Sequence, residues 1–186
     1  LSRRGPGSPA IVDALKRPQD RLVLCELHPE DAAALRAWAR GRAGVAVHAR
    51  DGYEALKAFL PPEEGRGLVV LDPPYEATDE LERVTEAILA GCKRWPGGRW
   101  LVWHPIKDRA PVWRLEEALL AGGLDNMLSA ELLVQPEDGR ALAGSGALLV
   151  NPPYLVEDRL SAILAELQAS LAPEHGSQAL RRRGRS

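Results

Sequence analysis

The sequence predicts an α/β chain built on a doubly wound, mostly parallel sheet. Two observations predict it. Short apolar runs such as RLVLCE at 21–26 and GLVVL at 67–71 alternate along the chain with longer amphipathic stretches. Those runs are nearly continuous in Leu and Val, the mark of strands covered on both faces, and the stretches between them are long enough for right-handed helical crossovers.

Each element follows from local chemistry. Ser8-Pro9 opens the first helix, since serine can cap free amides and proline suits the first helical position. Ile11, Val12 and Leu15 form its apolar side, and Pro18 ends it. A strand at 21–26 follows. Residues 29–40 are helical, anchored by Leu35 and Trp38 and closed by Gly41 and Gly44. A strand at 45–49 leads through Asp51-Gly52 into a short helix that Pro61-Pro62 breaks after Leu60. The strand at 67–71 ends at Asp72-Pro73-Pro74-Tyr75.

Beyond it come a helix from Thr78 to about 94, a strand at 99–104, a helix at 112–121 and a strand at 127–134. A turn-rich segment at 135–144 precedes a strand at 147–150, and a last helix spans 156–171. No helix separates the last two strands, so one of them is expected to run antiparallel. Residues 1–173 read as one domain. Residues 174–186, rich in arginine from Arg181 to Arg185, read as a disordered basic tail.

Composition excludes several classes. A chain of 186 residues suits about one domain, and 45% hydrophobic against 27% charged residues excludes a disordered protein. No apolar run approaches the ~20 residues of a membrane span. Two cysteines, Cys25 and Cys92, exclude a disulfide scaffold and fit a reducing cytosol, hence a cytoplasmic location. A net charge of −2 supplies no global cationic field for nucleic acid. The chain starts at Leu1 with residues that read as the inside of a loop, and no secretory signal pattern is present. A truncated N-terminus is the expectation.

Function is written at the strand ends, where ligands of such sheets bind. Glu26 ends the first strand, and a carboxylate there can accept both ribose hydroxyls of an adenosine-type ligand. Taken alone it reads equally as a solvated carboxylate or a cap for the helix starting near His28. Asp51-Gly52 follows the second strand, where an acceptor and an unhindered backbone can meet an adenine edge; alone, it is a common turn. Asp72-Pro73-Pro74-Tyr75 follows the third. Two consecutive prolines remove two backbone donors and hold the chain extended just as it leaves a buried strand, which suits a site presenting fixed acceptors and an aromatic face.

Asp/Asn-Pro-Pro-aromatic after a buried strand resembles the motif of amino-methyltransferases that use S-adenosylmethionine. The wider string Pro6-Gly7-Ser8-Pro9, Glu26-Leu27-His28-Pro29, Asp51-Gly52, residues 67–76 ending in Tyr75-Glu76, and Asn151-Pro152-Pro153 resembles the RlmJ family of 23S rRNA adenine-N6 methyltransferases, from about Gly5 to Pro173. The resemblance implies a Rossmann-like class I methyltransferase fold. It implies S-adenosylmethionine as cofactor, S-adenosylhomocysteine as product, and bacterial 23S rRNA, free or partly assembled, as partner. It places catalysis on Asp72, with the Pro73 carbonyl and Tyr75, and cofactor binding on Ser8, Glu26, Asp51, Gly52 and Asp72. The family's first strand, Gly-rich loop and small helical insertion have no counterpart here, which fits the expected truncation.

Implied chemistry follows from the adenine amine, whose lone pair is delocalised into the ring. Asp72 and the Pro73 carbonyl accept its hydrogens, and Tyr75 stacks on an unpaired or flipped base. Asn151-Pro152-Pro153-Tyr154 matches the same pattern, but it follows the last strand, away from the adenosine ligands, so Asp72 is preferred. His28, His48, His104 and His175 show no metal-ligand spacing with the cysteines, and no metal is expected. Trp95, Trp100, Trp103 and Trp113 read as core and helix-packing residues. His104 reads equally as site border or core. A monomer is expected. Two rival readings stay open: a DNA adenine or protein glutamine methyltransferase, and a non-catalytic RNA-binding domain.

Overall fold

The computed structural model of the chain describes residues 7–75 and 79–184. Pro6, Glu76, the expected helix start at Thr78 and Arg185 lie outside the described residues. The chain forms two compact units, Leu1–Phe59 and Leu60–Ser186.

The first unit runs α1 (Ser8–Leu15), β1 (Leu22–Glu26), α2 (Pro29–Ala39), β2 (Val45–Ala49) and α3 (Gly52–Phe59). β1 and β2 pair in parallel from Leu22↔Val45 to Glu26↔Ala49. Gly44 sets that register. Its φ is +70°, its carbonyl accepts the Leu22 N–H at 2.7 Å, and a Cβ there would stand 2.9 Å from the Asp20 carbonyl oxygen. The cap of α1 is Gly7 rather than Ser8: the Gly7 carbonyl already accepts the Ala10 and Ile11 amides, so Ser8 falls inside the helix. Ile11 and Leu15, on the apolar side of α1, are exposed. The Arg42 guanidinium lies 4.3 Å over the Trp38 ring and pairs with Asp13 at 2.7 Å, tying α2 to α1.

The second unit runs β3 (Leu68–Leu71), α4 (Glu80–Arg94), β4 (Arg99–Ile106), α5 (Ala110–Ala121), β5 (Met127–Leu133), β6 (Gly144–Val150), α6 (Val156–Leu171) and β7 (Ser177–Arg183). Its sheet has the order β3-β4-β6-β5-β7. β3 and β4 are parallel, while β6 runs antiparallel to both β4 and β5, and β7 antiparallel to β5. This sheet is therefore mixed where a mostly parallel one was expected. The antiparallel member of the β5–β6 pair is β6, slotted between β4 and β5.

Two differences from the expected elements have clear causes. β6 starts at Gly144, earlier than its apolar run, because Gly144-Ser145-Gly146 carries no apolar signal but faces crowded neighbours. A Cβ on Gly146 would come within 2.6 Å of His104 Nε2. The segment expected to be a disordered tail instead contains β7. Its arginines are held by carboxylates: Arg181 with Glu131, Arg182 with Glu157 at 2.7 Å, and Arg183 with Glu116 at 2.8 Å and Glu117 at 2.5 Å. Polar composition hid a strand whose charges are neutralised only by tertiary partners.

The core is built on β4, where Trp100, Val102, His104 and Ile106 form the buried face. Val84, Ile88 and Cys92 of α4 and Val112, Leu115 and Leu119 of α5 add to it. His104 is 1% exposed and neither ring nitrogen makes a hydrogen bond among the described residues. Since the imidazole cannot retreat, Gly146→Ala is expected to lower stability by about 1–3 kcal/mol, read as a shift in urea midpoint.

The same histidine sets a pH dependence. Burial lowers its pKa, and the Arg181 charge lowers it further, against the Glu131 charge that raises it. A depressed pKa means that the unfolded chain binds the proton first, so stability is intact above the ordinary 6.5 and falls as the pH drops below it. Burial would raise the Glu131 carboxyl, but Arg181 and Arg109 outweigh this and hold it below its ordinary 4.5, adding a further loss at lower pH. Urea midpoints measured from pH 8 downward should show the upper step, and His104→Gln should remove it.

Candidate active site

The two units carry different parts of the expected site. In the first, Glu26 is the half-buried last residue of β1, and its Oε1 accepts the His28 N–H at 2.8 Å. That bond ties the carboxylate to the residue that precedes α2 without capping a helical amide, and of the roughly four acceptor positions a carboxylate offers it uses one. Asp51 precedes α3, and its Oδ1 accepts the Tyr53 and Glu54 amides at 2.7 and 3.2 Å. This is an N-cap that fixes the carboxylate at the end of β2. Gly52 opens α3 without a positive φ, and a Cβ there would meet nothing within 4 Å. Neither backbone conformation nor internal crowding accounts for a glycine at this position. Ser8 is exposed in the first turn of α1.

In the second unit, Asp72 leaves the carboxyl end of β3 exposed, followed by half-buried Pro73 and exposed Pro74. Tyr75 adopts φ +54°, a region that costs a non-glycine residue about 1–3 kcal/mol unless its surroundings hold it there. The holding contact is visible: the Tyr75 hydroxyl donates to the Trp103 carbonyl at 2.5 Å, and the two rings stand 6.1 Å apart at 60°. Burial pushes this hydroxyl above its ordinary pKa of 10, and the Asp72 and Glu80 carboxylates push it further. It stays a neutral donor, and the residue presents its ring.

Trp103 is the residue sequence reasoning misplaced. Trp95 and Trp100 are buried, as expected, but Trp103 is 36% exposed and Trp113 50%. Alternation along β4 was the available signal: residues 100, 102, 104 and 106 share the buried face, so 103 belongs to the other. The parallel register Leu71↔Val102 puts Asp72 and Trp103 at the next step.

The second Pro-Pro motif has a different task. Asn151 also lies at φ +54°, and its Nδ2 donates to the Pro96 and Gly98 carbonyls at 2.9 and 2.8 Å. Both amide hydrogens are engaged in tying the end of β6 to the loop before β4. Tyr154 is 92% exposed.

The described carboxylates, histidines and cysteines include no cluster of three able to hold a metal, and no described helix is long and apolar enough to cross a membrane. Cys25 and Cys92 are free thiols; burial pushes Cys92 up to about 11, which makes it a poor nucleophile at neutral pH.

Comparison with known proteins bears on this arrangement. The family model for ribosomal RNA large subunit methyltransferase D, RlmJ, matches residues 2–183. The chain belongs to the RlmJ family. It is 41% identical over 169 residues to ribosomal RNA large subunit methyltransferase J of Haemophilus influenzae and 38% identical to the protein of that name from Escherichia coli. Each match covers 90% of this chain and 60% of the relative, so the chain spans about three-fifths of their length. A crystal structure of a Legionella pneumophila protein superposes with a TM-score of 0.89 at 30% identity, covering 96% of this chain and 67% of that one. A probable spermidine synthase from Corynebacterium glutamicum gives 0.57 at 19% identity, covering 87% and 58%, and shares the fold alone. Together these establish a Rossmann-like methyltransferase fold. In this RlmJ-family chain Asp72-Pro73-Pro74-Tyr75 ends a parallel strand, while Asn151 is taken up in a structural role.

Proposed function

We propose that the protein transfers a methyl group from S-adenosylmethionine to the N6 amine of an adenine in 23S rRNA, working in the cytoplasm on free or partly assembled RNA as a monomer. The observation that carries this reading is the Asp72-Pro-Pro-Tyr75 segment at the end of β3 in a chain of the RlmJ family. Asn151, whose side-chain donors are already engaged, is the weaker candidate for the same role.

The cofactor fits the residues present. The remaining acceptor positions of Glu26 suit ribose hydroxyls, the capped Asp51 carboxylate suits an adenine edge, and the open space beside Gly52 admits a ligand close to the backbone. Ser8 belongs to the same set through the family motif. When bound, the cofactor supplies an electrophilic methyl group on a sulfonium. Asp72 would accept one N6 hydrogen and the Pro73 carbonyl the other, which would hold the amine and leave its lone pair available as the nucleophile. Asp72 or a water takes up the proton that is lost. Tyr75, its hydroxyl engaged by Trp103, stacks on the target base, which must be unpaired or flipped out to reach it.

The test is label transfer from S-adenosylmethionine to protein-free, unmodified 23S rRNA, followed by nucleoside analysis. N6-methyladenosine is expected. Label in DNA or in glutamine side chains would displace the RNA reading, and absence of both transfer and cofactor binding would favour a binding module. Glu26→Ala is expected to weaken cofactor binding by about tenfold in calorimetry, the scale of a hydrogen bond to a charged group.

A further inference from the structure

We propose that Trp103 is a positioning and contact residue of the acceptor site: with Tyr75 it forms a two-walled aromatic clamp for an unpaired purine of the RNA. This rests on the methyltransferase reading of the Asp72 site and extends it to how the acceptor nucleotide is held.

Three independent features of β3 and β4 converge on this residue. Trp103 lies on the less buried face of β4, with about a third of its surface open, whereas the tryptophan three residues earlier is core. Asp72 and Trp103 are the residues that follow directly on Leu71↔Val102, the last pair of the β3–β4 ladder, so an aromatic surface and a carboxylate acceptor stand next to the same end of that ladder. Its carbonyl and ring both engage Tyr75, through the 2.5 Å hydrogen bond and the tilted contact at 6.1 Å. The left-handed backbone of Tyr75 is thereby held against its intrinsic preference, and the ring keeps one orientation.

The chemistry of this arrangement selects its ligand. The Tyr75 hydroxyl is already donated, so this residue offers a substrate only its ring. Two aromatic rings at 60° make a corner with two apolar walls, and the carboxylate stands beside it. A flat heteroaromatic carrying an exocyclic amine satisfies both at once, stacking on one ring and meeting the other edge to face while its N–H groups reach the acceptor. An unpaired aminopurine in single-stranded RNA has that form.

The test uses the protein with a short oligoadenylate carrying one 2-aminopurine, whose fluorescence is quenched by stacking, alongside steady-state methyl transfer to unmodified 23S rRNA. Trp103→Ala should weaken oligonucleotide binding about tenfold, the scale of one base–aromatic stack, and raise KM for RNA similarly without moving KM for S-adenosylmethionine. Trp103→Phe, which keeps a ring and protects the fold, should fall between wild type and Ala. Tyr75→Phe, which keeps the ring but loses its anchor, should lower kcat several-fold. The clamp is overturned if wild type shows no quench, if Trp103→Ala and Trp103→Phe bind like wild type, or if both KM values rise together. If wild type transfers no methyl to RNA, the functional reading fails, and the quench series alone then decides whether Trp103 contacts the base.

Discussion

Asp72→Ala is expected to lower kcat for methyl transfer by about 100-fold or more while leaving the thermal midpoint within a degree or two of wild type. The magnitude is that of losing a positioned proton acceptor, about 10²–10⁴ in rate. The stability effect is expected to be small because Asp72 is exposed and stands just after β3, so no buried group is lost with it. Asp72→Asn keeps one acceptor oxygen and should retain an intermediate rate. Asn151→Ala should do the reverse. It removes two hydrogen bonds to the Pro96 and Gly98 carbonyls and puts alanine at φ +54°, so stability should fall by roughly 2 kcal/mol with the chemical step little changed. Paired measurements of kcat and urea midpoint on the two variants separate the motifs. A rate loss in Asn151→Ala that exceeds the loss in Asp72→Ala would reverse the assignment.

Ending the chain at residue 176 is expected to unfold the second unit at 37 °C rather than to trim a tail. Removing β7 strips one edge of β5 of its partner and leaves Glu131 and Glu116, both almost fully buried, without Arg181 and Arg183. Breaking one buried ion pair by removing a partner costs about 3–5 kcal/mol, and two such losses together approach the whole stability of a small domain. The point variant Glu131→Gln isolates part of the effect. It removes the charge shared by Arg109 and Arg181 without touching the β5–β7 ladder, and should lower stability by about 3 kcal/mol in urea melts. A truncated chain that melts like the full one would mean that β7 adds nothing to the fold.

Arg109 links that cluster to the neighbouring loop. Its guanidinium pairs with Glu131 at 2.8 Å and Glu137 at 2.9 Å, and its amide also donates to Glu137. The start of α5, the buried face of β5 and the segment between β5 and β6 thus share a single cation. None of this was readable from spacing, since Arg109, Glu131, Glu137 and Arg181 are far apart in sequence and ordinary in composition.

The elements that sequence reading located well are those whose signal is local. Continuous apolar runs marked β1, β2 and β3, the 3.6-residue pattern marked α6, and Pro29, Gly41 and Gly44 bracketed α2. Three of the expected site residues could be placed on the fold for a related reason: Glu26 ends β1, and Asp51 and Asp72 follow closely on β2 and β3, so finding the strand located its end. Trp103 was missed because a tryptophan in an apolar run reads as core from composition, and only the phase of β4 against its neighbours tells which face it occupies. β7 was missed because three consecutive arginines carry no apolar period.

The sequence by itself determined the alternation of strands and helices, the acidic residues at three strand ends and membership of the RlmJ family, because backbone propensity, turn chemistry and motif order are properties of neighbouring residues. Tertiary structure decided which strands run antiparallel, that the Asn151 amide is bound to the Pro96 and Gly98 carbonyls, that the Tyr75 hydroxyl is anchored by Trp103, and that Arg181 to Arg183 lie in an edge strand. Each of those depends on pairing between residues distant in the chain, where hydrogen-bond register and charge neutralisation outweigh local preference.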